Sequence, residues 1–254
     1  MRPRIDLNCD LGEGAGHDAK LMPLVSSANI ACGGHAGDTD TMRATLRLAK
    51  LHGVAVGAHP SWPDRVDFGR REMTATADEV FGWVVEQVRS LLVLVQAEGM
   101  RLSHVKPHGA LYNQAARDSA LAEVLIRAVC AVDRNLIVCG LAGSRLIAAG
   151  RAAGLQVMEE FFADRRYRDD GSLEPRSSPR ALITDPSEAA RQVLALLQTG
   201  QLTTVTGNRI ALPADTVCLH GDGIKAVEFA QAVRSALTAA GIAIRAPGHK
   251  ERPA

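Results

Sequence analysis

The chain has 254 residues, more than the ~100–200 of an average domain but close to the ~200–250 that α/β barrels reach as one unit. With 46% hydrophobic and 22% charged residues it can bury a sizeable core, which sets it apart from disordered chains. A formal net charge of +1 and 4% aromatic residues offer neither a basic stripe nor stacking platforms, which argues against nucleic-acid binding.

Short apolar runs alternate along the chain with helical patterns, and a polar or glycine-containing cluster follows each run. "RIDLNCDLGEG" comes first, then "SSANIACGGHAGD" before a helix over 39–52. "GVAVGAHPSW" leads through a long loop to a helix over 76–98, where Thr76 and Glu79 match the S/T-x-x-E capping box. "LSHVKPHGALYN" precedes a helix near 118–132, and "NLIVCGLAGS" one near 145–153. "LQVMEEFFADRRY" is followed by a polar segment, 165–186, and a helix near 186–199. "TTVTGNRIALPADT" suggests an inserted hairpin. "DTVCLHGDG" then leads into a helix near 224–240, and "GIAIRA" ends the pattern.

Strands alternating with helices imply parallel βαβ units. About seven such units predict a closed barrel more readily than an open sheet. No G-x-G-x-x-G joins a strand to a helix, which weakens a dinucleotide-binding reading. The N-terminal segment reaches acidic residues before an apolar stretch forms, so no signal peptide is expected. The run "LLVLVQA" is too short to cross a bilayer. The five cysteines, Cys9, Cys32, Cys130, Cys139 and Cys218, form no C-x-x-C pair, and reduced thiols in a cytoplasmic protein are expected. Segment 165–186 reads as a surface loop or as a lid over the site.

The polar clusters fall at the C-terminal ends of the predicted strands, where the mouth of a parallel barrel collects its active site. Strand alternation assigns faces. In "IDLNCDL", Asp6, Asn8 and Asp10 share the face opposite Ile5, Leu7, Cys9 and Leu11. In "HVKPHGALYN", His104, Lys106 and His108 point into the barrel, with Lys106 and His108 nearest the mouth. Cys218, His220 and Asp222 repeat the pattern in the last motif. His35, His59, His108 and His220 stand at four strand ends, and carboxylates beside them suit general acid–base chemistry on a small polar substrate. An Asp with two His is also a ligand type for Zn- or Mn-like ions; Asp10, His59 and His108 fit it, although no spacing forces it.

Six segments in order, "DLNCDLGEG", "SANIACGGHAGD", "GAHPSWPD…FGRR", "VKPHGALYN", "FFADRRYRDDGSL…R" and "CLHGDG", resemble the signature segments of the LamB/YcsF family of bacterial 5-oxoprolinase A subunits. The resemblance runs from about Ile5 to Ile244; "HGDGIKA" departs from the family's usual His-Gly-Asp, small residue, Pro, so that loop is expected to differ in shape. It implies one domain over 1–254, with its core at about 5–244, folded as a distorted TIM-like (β/α)7 barrel of the glycoside hydrolase/deacetylase type. It further implies ATP-dependent opening of 5-oxo-L-proline to L-glutamate together with subunits B and C. This chain has no G-x-x-x-x-G-K-[ST] phosphate loop, so ATP, with Mg, is expected to act on the partner subunits. Carried over by position, the catalytic candidates are Asp10, Glu13, His59, Lys106 and His108. The substrate-binding candidates are His35, Asp38, Asp164, Arg165, His220 and Asp222, joined by Asn8. Two rival readings are a metal-dependent amide or carbohydrate hydrolase or deacetylase working alone, and a subunit that binds a small acid without chemistry. Both readings as an enzyme are compatible with a homo-oligomer.

Overall fold

The structure, a computed structural model, describes residues 3–247; the ends of the expected 1–254 domain lie outside the described residues. In chain order the elements are β1 (Arg4–Leu11), α1 (Asp18–Leu21), a 3-10 turn (Met22–Leu24), β2 (Ser27–Ala31), α2 (Thr39–His52), β3 (Ala55–His59), α3 (Ala77–Ala97), β4 (Leu102–Val105), α4 (Gly109–Arg117) and α5 (Ser119–Val132). They continue with β5 (Ile137–Leu141), α6 (Arg145–Ala152), β6 (Val157–Phe162), α7 (Pro186–Thr199), β7 (Gln201–Thr203), β8 (Arg209–Ala211), β9 (Thr216–Leu219), α8 (Ala226–Ala239) and β10 (Ala243–Ile244). Strands β1 to β6 and β9 pair in parallel, and β9 returns to β1, which closes the expected seven-stranded barrel. Strand β10 adds to the start of β1, and β7 with β8 forms the antiparallel hairpin expected between α7 and β9.

Local chemistry explains the boundaries. The Thr76–Glu79 capping box is formed at the start of α3, so two orphan backbone donors are satisfied reciprocally. Asp38, Asp118, Ser144 and Asp185 cap α2, α5, α6 and α7, each accepting a backbone N–H. Helix α3 is, among the described residues, the one helix long and apolar enough to cross a membrane. Here its Val80, Val84, Val88, Leu91 and Val95 are buried in the main core.

The barrel differs from the expectation in one segment that matters for the site. "HVKPHGALYN" is not a single strand: β4 stops at Val105, and α4, which the sequence pattern does not announce, begins at Gly109. Pro107 has no N–H to continue a ladder. Gly109, at φ 56°, turns the chain where a side chain would collide with the carbonyl oxygen of Gly69. Up to that turn the backbone stays extended, with Lys106 N–H bonded to Ala58 O and His108 N–H to Pro60 O, so the alternation survives. His104, Lys106 and His108 are all buried.

Segment 165–186 is a packed wall rather than a free linker. Bridges Arg165↔Leu182 and Tyr167↔Leu173 tie it to itself, and the buried Tyr167 hydroxyl accepts the N–H of Phe162 at 2.7 Å.

Candidate active site

The barrel interior is polar and stacked in layers. At the bottom, Asp6 accepts hydrogen bonds from Ser26, Ser27 and Thr216. Burial pushes this carboxyl up to about 6 despite those donors. One layer higher, the amide of Asn29 donates to Asn8 at 2.7 Å and to Asp10 at 2.8 Å, while Asn8 donates to Glu160 and Thr216. His104 Nε2 donates to Asn29 Oδ1 at 2.8 Å. Gly57 leaves room for that ring, since a Cβ there would collide with His104 Nε2.

Above this lies the charged centre. Lys106 Nζ sits 2.8 Å from both Asp10 Oδ1 and Glu160 Oε1, and 3.0 Å from Cys218 Sγ. Burial alone would strip the lysine of its proton, but Asp10 and the groups beside it hold its pKa well above the usual value. Burial likewise opposes the Asp10 carboxylate, and Lys106 and His59 outweigh it and hold Asp10 well below the usual range. Both are therefore fixed charges rather than proton carriers at neutral pH.

The mouth adds Glu13, His35, His59 and His108, with one ligand-competent atom from each within 4.8 Å of the others. His35 Nε2 lies 2.9 Å from Glu13 Oε1, and the His35 and His108 rings stack at 3.6 Å. Burial, then His59, drives His35 down to about 2. The same causes, with His35, hold His108 well below its ordinary value. Glu13 is raised by burial and by Asp10. These are the residues that could hold a metal ion; Asp10 stands beside them, 3.5 Å from His59 Nε2.

A cavity of about 750 Å³ opens above this floor. Asp10, His59, Lys106, His108, Arg165 and His220 line it, together with Arg176 and the wall at 170–175. His220 Nδ1 bonds the Asp164 carboxylate at 2.7 Å, and Arg176 donates to His220 Nε2 at 2.8 Å. His220 is thus the Nδ1–H tautomer, with both nitrogens engaged. Arg165 is buried and donates to the carbonyl oxygens of Glu174 and Ala181.

Ten of the twelve site residues expected from the sequence, Asp10, Glu13, His35, His59, Lys106, His108, Asp164, Arg165, His220 and Asp222, stand at or around the mouth. Asp222 is at the rim, paired with Arg70 at 2.5 Å. Two do not fit. Asp38 is exposed and spends its carboxylate capping α2 through Thr41 N–H, a role its S/T/D-before-helix position explains. Asn8 is completely buried beneath the charged centre and serves the floor. The metal trio Asp10, His59 and His108 is also revised, because the ligand atoms that gather within 4.8 Å of one another are those of Glu13, His35, His59 and His108, with Glu13 3.4 Å from His108 and Asp10 3.5 Å from His59. Residues missed by sequence reasoning are Glu160, Asn29, Phe68 and Arg176. Glu160 was visible in "VMEEFF", where alternation puts one of the two glutamates inside the barrel. The thiols are structural: Cys9, Cys139 and Cys218 are raised by burial, and Cys32 to about 12.

Three comparisons bear on identity. Relatives named as 5-oxoprolinase A subunits match nearly end to end. The one from Geobacillus kaustophilus is 53% identical, covering 98% of each chain. The one from Methylococcus capsulatus is 53% identical, covering 98% of this chain and 97% of its own. The crystal structure of a lactam utilization protein from Thermus thermophilus superposes with a TM-score of 0.90 at 47% identity, covering 95% of this chain and 99% of that one. A deacetylase crystallised with substrate, TM-score 0.51 at 15% identity over 96% of this chain and 87% of its own, shares the fold alone. The LamB/YcsF family profile matches residues 5–252, and with relatives of this identity over this length the chain belongs to the LamB/YcsF family.

Proposed function

We propose that this chain is the A subunit of a 5-oxoprolinase that opens the lactam ring of 5-oxo-L-proline to L-glutamate at the expense of ATP, working with subunits B and C in the cytoplasm. The observation that carries the reading is full-length similarity to proteins named as 5-oxoprolinase A subunits, supported by a barrel mouth furnished for polar chemistry. A lactam amide is resonance-stabilised, so water attacks its carbon slowly unless the oxygen is activated. Phosphorylation of that oxygen by ATP would supply the activation. This sequence carries no P-loop motif, which supports assigning that step to the partner subunits.

In this reading the activated ring enters the cavity. Lys106, held as a cation by Asp10 and Glu160, faces the oxygen on which negative charge develops. Arg176 and Arg165, both lining the cavity, hold the substrate carboxylate. The lone pairs of the Glu13–His35–His59–His108 cluster draw the attacking water into position and accept its proton, which the ring nitrogen takes up as the C–N bond breaks; the acyl phosphate left behind is hydrolysed by a second water to the side-chain carboxylate of glutamate and inorganic phosphate. Five unpaired thiols, four of them buried, support a reducing compartment.

The test is glutamate release from 5-oxoproline with ATP and Mg²⁺, by this chain alone and mixed with purified B and C subunits. Activity in the mixture alone supports the reading. Activity of the isolated chain would overturn the division of labour, and silence in both would overturn the substrate.

A further inference from the structure

The floor of the mouth holds more lone pairs than hydrogens. His59 Nδ1 lies 2.7 Å from the carbonyl oxygen of Lys106, which can only accept, so Nδ1 carries the hydrogen. His108 Nε2 lies 2.9 Å from the carbonyl oxygen of Phe68, and the same logic places the hydrogen there. The backbone thereby fixes both tautomers. The nitrogens left over, His59 Nε2 and His108 Nδ1, face each other at 3.0 Å as two lone pairs. Glu13 Oε1 adds a third acceptor, 3.4 Å from His108 Nδ1, 3.9 Å from His59 Nε2 and 2.9 Å from His35 Nε2. Asp10 Oδ2 adds a fourth, 3.5 Å from His59 Nε2. Acceptors converging on one point at these distances repel one another unless a positive centre stands among them.

We propose that Glu13, His35, His59 and His108 form a binding site for one divalent transition-metal ion of the zinc class. The donor set points there: imidazoles with one carboxylate suit Zn, Ni, Fe or Mn, whereas Mg and Ca favour oxygen alone. The surroundings agree. Ligating histidines ordinarily donate their other N–H to a carbonyl or carboxylate, and the carbonyls of Lys106 and Phe68 are in place to receive it. Phe68 is, among the described residues, the one non-glycine residue with a left-handed backbone, at φ 55°. Such a conformation persists only where its surroundings impose it, and here it accompanies a carbonyl bonded to His108 and a ring set edge-on against both His35 and His108. His35 Nδ1 is buried without a hydrogen-bond partner, so this ring lacks the backbone tether of the other two. His59 and His108 also line the cavity, so an ion bound there is reachable by a substrate or water. With the ion in place the same lone pairs serve as ligands, and activation of the attacking water passes to the metal.

Occupancy is measured on the isolated chain, so it succeeds or fails independently of the 5-oxoprolinase reading. The protein is stripped with a chelator and titrated with Co²⁺ followed by visible absorption, and with Zn²⁺ followed by calorimetry. One ion per chain at about micromolar affinity or tighter, with a Co²⁺ spectrum characteristic of low coordination number, is the expected result. Glu13→Gln, His35→Gln, His59→Gln and His108→Gln should each weaken binding by at least the ~10–100-fold that even outer-shell changes cost, while Cys130→Ser and His52→Gln leave it intact. Circular dichroism identifies any variant that fails to fold. X-ray absorption of the Zn²⁺-loaded wild-type chain reads the ligands directly, and a sulfur-rich shell would overturn the assignment. Absence of stoichiometric binding would also overturn it and would leave a shared proton as the occupant of the gap between His59 and His108. Undiminished affinity in the folded variants would do the same.

Discussion

Replacing Lys106 by Met tests whether the charged centre is built as described. The substitution keeps most of the side-chain volume but removes the cation lying 2.8 Å from both Asp10 and Glu160, which leaves two buried carboxylates without their counter-ion. Removing one partner of a buried ion pair costs about 3–5 kcal/mol. In a domain of this size that corresponds to a fall in Tm of roughly 6–20 °C. The pH dependence distinguishes this cause from simple loss of packing. In the wild type the Asp10 carboxyl is held below its unfolded value, so its stabilising contribution is present above about pH 4 and is lost only on further acidification. In the variant Asp10 keeps its burial but loses the lysine that holds it low, so it binds a proton more readily when folded, and acidification relieves the defect by up to about 1.4 kcal/mol per pH unit. Urea unfolding followed by circular dichroism should therefore show a large deficit at pH 8 that narrows at pH 5, and Lys106→Met/Glu160→Gln should recover part of it. A deficit below about 1 kcal/mol at pH 8, or one equal at both pH values, would refute the reasoning.

Other expectations follow from single contacts. Asp6→Asn should remove a pH dependence of about 3 kcal/mol, because the folded carboxyl titrates at about 6 against 3.8. As the folded value is the raised one, the wild type loses that stability as pH rises from about 4 to 6, and the difference between the two urea midpoints tracks it. Gly57→Ala forces a methyl group against the His104 ring and should cost about 1–3 kcal/mol. Gly82→Ala on α3, where nothing lies within 4 Å, should instead stabilise by up to about 1 kcal/mol; thermal melts of the two variants must move in opposite directions. Arg176→Met should raise KM for 5-oxoproline in the reconstituted enzyme by roughly 10–100-fold with a smaller change in kcat, the scale of one lost charged hydrogen bond; an unchanged KM removes Arg176 from the substrate site. If segment 165–186 closes on the ligand, tryptic cleavage after the exposed Arg180 should slow when substrate is added, and identical digestion rates would exclude a lid.

The barrel and most of its mouth were legible because two periodicities carry them. Period-two alternation put Asp6, Asn8 and Asp10 inside, and helical patterning with recognisable caps bounded α2, α3 and α7 to within a residue. The failures have physical causes. Helix α4 was hidden because Lys106 to His108 stay extended beyond the last ladder of β4, and only a glycine at positive φ marks the turn. Asp38 entered the site by position within the resembling family segment, although an Asp immediately before a helix has a competing use as a cap. Phe68 could not be found from pattern at all, since its contribution is a backbone carbonyl oriented by a strained φ. The grouping of Glu13 with His35, His59 and His108 depends on separate strand ends converging, and no spacing along the chain encodes that convergence.

Barrel interiors of this class are ordinarily filled by Val, Ile and Leu; here Ile137, Cys139 and Met158 form a small apolar cluster separate from the main core, and a continuous polar stack links the strands. The stack runs from Asp6 through Asn8, Asn29 and His104 to Asp10, Lys106 and Glu160, and ends in the histidines of the mouth. Each member has few alternative partners in a dry interior, because leaving a buried polar group unpaired costs about 1–3 kcal/mol. Position is therefore over-determined from the bottom upward: Thr216 and Asn29 orient Asn8, Asn29 and Lys106 orient Asp10, and Asp10 stands against His59. A rigid floor of this kind holds charge where the reaction needs it without reorganisation at the moment of attack, which is the condition under which fixed dipoles and ions are most effective. It also makes distance a poor guide to function, since a change at Asn29, which does not line the cavity, removes a hydrogen-bond partner from three neighbours, Asn8, His104 and the Asp10 carboxylate that lines the cavity.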